Sequence, residues 1–320
     1  MNCLCCGKLI RENSSDTEKI SGWHKRCVKN FFNTNELPLL DISEEQLTHL
    51  VNTTVNKGMT IPGVQKKLSL HLSQKDTARF TIVDYPTGYI LKPQAEEYPS
   101  LPEFEDLAMK LAEIAKIKTV PHALMKMNDQ YVYITKRIDR NISSDHVHMY
   151  AMEDFCQLSN RLTFDKYRGS YENIGKLIKK YSSRPGLDLS ELFIRVVFSY
   201  IIGNSDMHLK NFSLIETSPS NRIFSLSSAY DFLPVNIIMP EDTEEMALTL
   251  NGKKRNLHKK DFLLFAERLE ISKPAAEKII KKLCSYKNTY LEQCDQSYLS
   301  DDLKIKLKVL IEQRIRVLEA

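Results

Sequence analysis

The chain has 320 residues, 42% of them hydrophobic and 27% charged, enough to bury a substantial core and suggesting two lobes or domains rather than one. Its 45 basic and 41 acidic residues leave a net charge of +4, too near balance for a general nucleic-acid binder on charge alone. The longest apolar stretches, such as Leu192 to Gly203, are interrupted by Arg195 and fall short of the roughly 20 residues that span a bilayer, so no transmembrane helix is expected.

Cys3, Cys5 and Cys6 stand where a signal peptide would carry a basic region and then an apolar run, which points to a reducing cytoplasm. Seven cysteines is an odd number with three crowded at one end, a pattern unlike a disulfide framework and open to metal binding. Cys3-Leu-Cys5-Cys6-Gly7 and Trp23-His24-Lys-Arg-Cys27 each offer two soft ligands separated by two residues. Tetrahedral Zn²⁺ would take Cys3, Cys6, His24 and Cys27, with Cys5 as an alternative to Cys3 and Gly7 permitting the tight knuckle. Residues 1–40, poor in apolar side chains and ending near Pro38, therefore form a candidate zinc-knuckle-like module. Four protein ligands leave no open position, so its role would be structural.

Next comes a helix, with Ser43 as N-cap and Glu44 and Glu45 in its first turn. The loop Lys57-Gly58-Met-Thr60-Ile-Pro62-Gly63-Val64-Gln65-Lys66-Lys67 leads into a strand at Leu68. Its glycines allow a tight turn whose amides face phosphate, with charge from Lys66 and Lys67, although an ordinary helix-to-strand connection looks the same. Leu68, Leu70 and Leu72 alternate with polar residues, and Phe80, Ile82 and Tyr89 to Leu91 flank the turn Tyr85-Pro-Thr-Gly88, giving a small antiparallel sheet. Lys92 ends an apolar strand, where its ammonium could reach nucleotide phosphates or simply snorkel to water. The helix from about Pro102 to Lys116 offers Glu103 and Glu105 as its partner, and Glu105, deeper in the helix, is preferred. Another strand runs from Tyr131 to Ile134. After a crossing near Lys136 to Asn141 the chain turns mainly helical, over 153–160, 171–181, 189–203, 260–269, 273–288 and 303–318. A hairpin, Phe212 to Ile215 against Ile223 to Leu226, interrupts the helices. The expectation is an α+β chain with a β-rich lobe (41–140) and a helical lobe (141–320) around a cleft. Basic clusters at Lys253 to Arg255 and Lys259 to Lys260 read as a solvated loop before a helix.

The most informative segment is Gly203-Asn-Ser-Asp206-Met-His208-Leu-Lys210-Asn211, in which Asp206 and Asn211 have the spacing of a protein-kinase catalytic loop. Phosphoryl transfer needs a carboxylate to orient and deprotonate the attacking hydroxyl and an amide oxygen to hold a metal against the phosphates. Lys210 is near enough to neutralise the transferring group. Asp231, just past a strand in Tyr230-Asp231-Phe232, supplies the second metal ligand, and one Asp and one Asn with a nucleotide make a plausible incomplete Mg²⁺ shell. Taken singly, each carboxylate also suits a capping or turn role.

Together with Ile134-Thr-Lys136-Arg137-Ile138-Asp139-Arg140 and Met152-Glu-Asp154-Phe-Cys-Gln157, these segments resemble the HipA family of serine/threonine kinase toxins, most closely its compact HipT type. The likeness implies a two-lobed protein-kinase-like fold and use of ATP and Mg²⁺. It implies Asp206 as proton acceptor, Asn211 and Asp231 on Mg²⁺, and Lys92, paired with Glu105, on ATP phosphates. Lys136, Arg137 and Ile138 would form the adenine-contacting hinge and Asp139 the ribose position. His208, Tyr230 and the loop Pro62, Gly63, Val64, Gln65, Lys66 and Lys67 would complete the ATP site. Thr60 falls where family members carry an autophosphorylated serine and keeps its hydroxyl, while Pro62 removes any second phosphosite. The implied target is a translation factor such as an aminoacyl-tRNA synthetase. The implied partners are a HipB-like DNA-binding antitoxin and a HipS-like small protein, with no membrane and with DNA met only through the antitoxin. Two further readings stand beside this one, a small-molecule kinase and a nucleotide-binding docking module without transfer activity.

Overall fold

The structure is a computed structural model that describes residues 1–40, 67–73, 77–81, 87–142 and 147–320. The helix expected at Ser43, the turn at Tyr85 and Pro86, and the loop residues Thr60, Pro62, Gly63, Val64, Gln65 and Lys66 lie outside them. The chain divides into two compact units, Met1–Asp106 with Val120–Val147, and Leu107–Thr119 with His148–Ala320.

The first unit begins with two short helices, Asp16–Ser21 (α1) and Lys25–Phe32 (α2). Ser15 starts α1, its amide bonded to the Glu18 carboxylate at 3.2 Å, and Gly22 ends it in the left-handed region (φ 71°). α2 turns Cys27, Val28, Phe31 and Phe32 inward. A five-stranded antiparallel sheet follows, made of Leu68–Ser73 (β1), Arg79–Thr81 (β2), Tyr89–Lys92 (β3), His122–Met127 (β4) and Gln130–Lys136 (β5), in the order β2-β1-β3-β5-β4. The first forty residues share its core: Phe31 and Phe32 meet Tyr89 of β3 with ring centroids 6.1 and 5.6 Å apart, and Phe32 meets Phe80 of β2 at 5.8 Å. The helix Leu101–Ile114 (α3) gives its start to this unit and its remainder to the other.

The second unit is mainly helical. After the short strands Arg140–Ile142 (β6) and Val147–Met149 (β7) come Met152–Asp154 (β8) and a single helical turn, Phe155–Leu158 (α4). Tyr171–Tyr181 (α5) and the buried Pro185–Ile202 (α6) lead to the hairpin Ser213–Glu216 (β9) and Phe224–Leu226 (β10), which β8 extends to three strands in the order β10-β9-β8. Val235–Ile238 (α7), Lys259–Arg268 (α8), Lys273–Ser285 (α9), Lys287–Asp295 (α10) and Asp301–Glu319 (α11) complete it. Arg195, inside α6, is 2% exposed and is tolerated because Nε bonds Glu191 at 2.8 Å and Nη2 bonds the Ser227 carbonyl at 2.7 Å. Among the described residues no helix is long and apolar enough to cross a membrane.

Several described elements differ from the expectation. Residues 153 and 154, expected to open a helix, instead belong to the strand that starts at Met152, because Asp154 pairs with Ser213 and then caps α4, accepting from the Gln157 amide at 2.9 Å. β4 was not foreseen, since five of its six residues are buried and the alternation that marks a strand is missing. The helix expected over 273–288 is instead two helices meeting at Tyr286, where the chain tightens into an i→i+3 bond to Leu283 at 3.3 Å.

Candidate active site

In the first unit Lys92 closes β3 opposite Tyr133 of β5, and its Nζ stands 2.6 Å from Glu105 Oε1 and 5.6 Å from the Tyr133 ring centroid. Both partners are buried, Glu105 to 1% exposure, so the lysine is held by a desolvated carboxylate. Glu105, in the second turn of α3, rather than Glu103, faces the lysine, and burial raises the Glu103 pKa. At the end of β5, Lys136 donates to the Asn30 carbonyl at 3.5 Å and lies 5.4 Å from the Phe31 ring, and burial lowers its pKa. Past the strand, Arg137 bonds the Gly88 carbonyl through its amide and grips Asp139 with two bonds, Nε to Oδ1 at 3.0 Å and Nη2 to Oδ2 at 2.7 Å. Arg140 adds a third at 2.9 Å. Burial alone would raise the Asp139 pKa, but the two guanidinium groups outweigh it and hold the carboxyl at about 2. Ile138 is half-buried between these arginines, and Lys67 is exposed before β1.

The second unit carries the loop after α6. The helix ends because Gly203 takes φ 71°, reversing the chain over Asn204 to His208. Asn204 Oδ1 accepts the Asp206 amide at 3.2 Å, and the Asp206 carbonyl accepts both the His208 amide at 2.8 Å and Asn211 Nδ2 at 3.0 Å. These bonds fix the loop around Asp206 and commit the Asn211 nitrogen, leaving its oxygen as the end suited to a hard cation. The Asp206 carboxylate accepts Tyr167 Oη at 2.5 Å and lies 4.0 Å from His208 Nε2. Although 40% of its side chain is exposed, desolvation, with Asp231 and Asp242 adding negative charge, raises its pKa to about 6 against the lowering by Tyr167 and Lys166. Burial first and then Lys166 push His208 down to about 4, so the imidazole is neutral at pH 7, and among the described residues its buried Nδ1 has no hydrogen-bond partner. Lys210 is engaged by Asp154 Oδ2 at 2.9 Å. Tyr230 Oη donates to the Lys210 carbonyl at 3.1 Å and stands 2.6 Å from Ser213 Oγ, tying the strand before Asp231 to the loop. Asp231 itself has φ 64°, a conformation that Asp and Asn tolerate better than other side chains.

Sequence reasoning placed Asp206, His208, Lys210, Asn211, Tyr230 and Asp231 together, and they share one unit. Lys92, Glu105, Lys136, Arg137, Ile138 and Asp139 share the other. It missed Tyr167 and Lys166, which come from the segment before α5, with Lys166 Nζ 4.8 Å from the Tyr167 ring. It also gave Asp154 no partner. No local spacing marks Tyr167, because 39 residues separate it from Asp206.

The four soft ligands of the amino-terminal segment also converge: one donor atom each from Cys3, Cys6, His24 and Cys27 lies within 4.8 Å of the others.

The profile of the HipA-like C-terminal domain matches residues 59–289. A Haemophilus influenzae protein named "Putative kinase" is 25% identical over 287 residues, 82% of this chain and 82% of its own length. "Putative kinase Y4dM" of Sinorhizobium fredii is 32% identical over 230 residues, 67% of this chain and 54% of its own, so the chain spans about half the length of that relative. Among solved structures, a chain of the Shewanella oneidensis toxin–antitoxin complex of HipA, HipB and operator DNA superposes with TM-score 0.68 at 17% identity, over 82% of this chain and 67% of that one. The Helicobacter pylori proinflammatory kinase CtkA gives TM-score 0.52 at 14% identity, over 78% of this chain and 93% of that one. Both likenesses are likenesses of fold.

Proposed function

We propose that this chain, which belongs to the family of the HipA-like C-terminal domain, is an ATP-dependent protein kinase of two-lobed form that phosphorylates serine or threonine hydroxyls. The observation that carries the reading is the bonding around Asp206, where the Asn211 amide and the His208 backbone hold one carbonyl and leave the carboxylate facing Tyr167. The donor set suits Mg²⁺, which takes one or two carboxylates and completes its shell with water and phosphate oxygens. Asp231 and the Asn211 oxygen would hold that ion. Bound Mg²⁺·ATP supplies the phosphoryl group and neutralises the charge on its oxygens.

The chain's own residues do the remaining work. Asp206 orients the acceptor hydroxyl and takes its proton. Lys92, aimed by Glu105, meets the ATP phosphates. Lys136, Arg137 and Ile138 line the adenine side, and Asp139, although gripped by two arginines, keeps one lone pair, on Oδ1, for a ribose hydroxyl. His208, neutral at pH 7, lies within the loop that would contact the nucleotide. Lys210, one-third exposed beside Asp154, has further donors for a phosphoryl oxygen.

In cells this activity would be that of a cytoplasmic toxin restrained by antitoxin proteins, a HipB-like DNA binder and a HipS-like small chain. Support comes from the Shewanella complex, in which the similar fold is found with HipB and operator DNA. The target would be a translation component such as an aminoacyl-tRNA synthetase, and Thr60 a site of autophosphorylation. Incubating the protein with γ-labelled ATP and cell lysate tests the reading. A labelled protein band other than the enzyme is expected, whereas a labelled small molecule alone, or no label, would contradict it.

A further inference from the structure

The amino-terminal cluster takes no part in the proposed transfer chemistry, and its geometry is that of a metal site. Cys6 Sγ and Cys27 Sγ lie 3.4 and 4.0 Å from His24 Nδ1. Zn–S bonds of about 2.3 Å and a Zn–N bond of about 2.0 Å at tetrahedral angles set such ligand atoms about 3.5 to 3.8 Å apart, so the observed separations bracket a filled site. Three sulfurs and an imidazole are soft donors, suited to zinc and unsuited to Mg²⁺ or Ca²⁺.

The backbone is organised to present them. The Gly7 amide donates to the Cys3 carbonyl at 2.9 Å, the Cys3 amide donates to the Lys8 carbonyl at 2.8 Å, and Gly7 takes φ 69°, which closes the knuckle between Cys3 and Cys6. His24 is the N-cap of α2 and Cys27 sits in its first turn, so the second pair of ligands is set by helix geometry. The His24 amide also donates to Cys3 Sγ at 3.4 Å, linking the two halves.

We propose that Cys3, Cys6, His24 and Cys27 bind one Zn²⁺, and that this zinc staples the amino-terminal segment onto strands β3 and β4. β4 is an edge of the sheet, and Leu124 at its centre is fully buried. Its amide donates to the Leu4 carbonyl at 3.0 Å, and its carbonyl accepts Trp23 Nε1 at 3.1 Å. Leu4 follows the ligand Cys3, and Trp23 precedes the ligand His24. Both backbone groups of one buried edge residue are thus satisfied by neighbours of zinc ligands, and losing either bond would leave a polar group desolvated. On the other side, α2 carries Cys27 and, one turn on, Phe31 and Phe32, which pack on Tyr89 of β3, the strand that ends in Lys92.

Trp23, the only tryptophan and 1% exposed, reports on this arrangement directly. The full chain purified without chelator is expected to hold one zinc, with X-ray absorption showing three sulfur and one nitrogen neighbours. Chelation should shift Trp23 emission to the red and lower the melting temperature, and added Zn²⁺ should reverse both. Cys6→Ser and Cys27→Ser should lose the metal, Cys5→Ser should keep it, and His24→Cys should keep it with four sulfur neighbours, which guards against variants that simply fail to fold. A chain that takes up no zinc on reconstitution, or an unaltered metal shell in His24→Cys, overturns the site. Zinc removal that leaves Trp23 emission and melting unchanged overturns the staple.

Discussion

Tyr167 donates its phenol proton to the Asp206 carboxylate at 2.5 Å, across 39 residues of sequence. The bond favours the ionised carboxylate and so opposes the desolvation that, on balance, leaves the Asp206 pKa raised to about 6. A group that must be ionised to accept a proton is active above its pKa, so kcat/KM for Mg²⁺·ATP-dependent transfer should fall as pH drops through about 6, the profile reporting the free enzyme. Tyr167→Phe removes the lowering bond and should move that acid limb upward, by at most about one unit. An identical limb in wild type and Tyr167→Phe would show that the phenol does not tune Asp206.

The Lys92–Glu105 pair makes a second prediction. Breaking a buried pair by removing one partner typically costs about 3–5 kcal/mol, so Lys92→Ala should lower the melting temperature of the nucleotide-free protein. Mg²⁺·ATP, which binds only the native state, should stabilise the wild type by mass action and stabilise Lys92→Ala much less. The double change Lys92→Met with Glu105→Gln removes both charges and should recover part of the lost stability without recovering the ATP effect. Equal ATP-induced thermal shifts in all three proteins would remove Lys92 from the nucleotide site.

Gly203 ends α6 and turns the chain into the loop that carries Asp206. Its φ of 71° suits glycine, and a Cβ there would stand 2.4 Å from Leu310 Cδ2. Gly203→Ala should destabilise the protein by about 1–3 kcal/mol, read as a lower urea midpoint at constant slope, and should slow transfer by displacing Asn204 and Asp206. A wild-type midpoint would mean that the loop absorbs the change.

How much of this was legible beforehand depends on distance along the chain. Asp206 and Asn211 lie five residues apart, and Lys92 and Glu105 belong to a consecutive strand and helix, so spacing and periodicity reach them. The Tyr167–Asp206 bond, the Lys210–Asp154 pair and the Arg137–Asp139–Arg140 grip depend on packing or on side-chain direction, which spacing does not encode. β4 escaped because burial on both faces erases the period-two pattern. Residues 153 and 154 read as the start of a helix because local propensity does not include the β9 partner that makes them a strand. The convergence of Cys3, Cys6, His24 and Cys27 was legible from two pairs each spaced by two residues, whereas the tie of Leu4 and Trp23 to Leu124 was not.

The central claim is that Asp206 acts on the acceptor hydroxyl and Asp231 on the metal, and paired measurements on two variants test it most directly. Asp206→Asn should bind Mg²⁺·ATP almost as the wild type does in calorimetry, yet lose about 10²- to 10⁴-fold or more in single-turnover transfer, the range for a positioned acid–base group. Asp231→Asn, which keeps a side chain suited to φ 64°, should bind Mg²⁺·ATP more weakly and also fail in transfer, because the charge facing the metal is gone. Transfer by Asp206→Asn at the wild-type rate, or unweakened Mg²⁺·ATP binding by Asp231→Asn, would contradict the account.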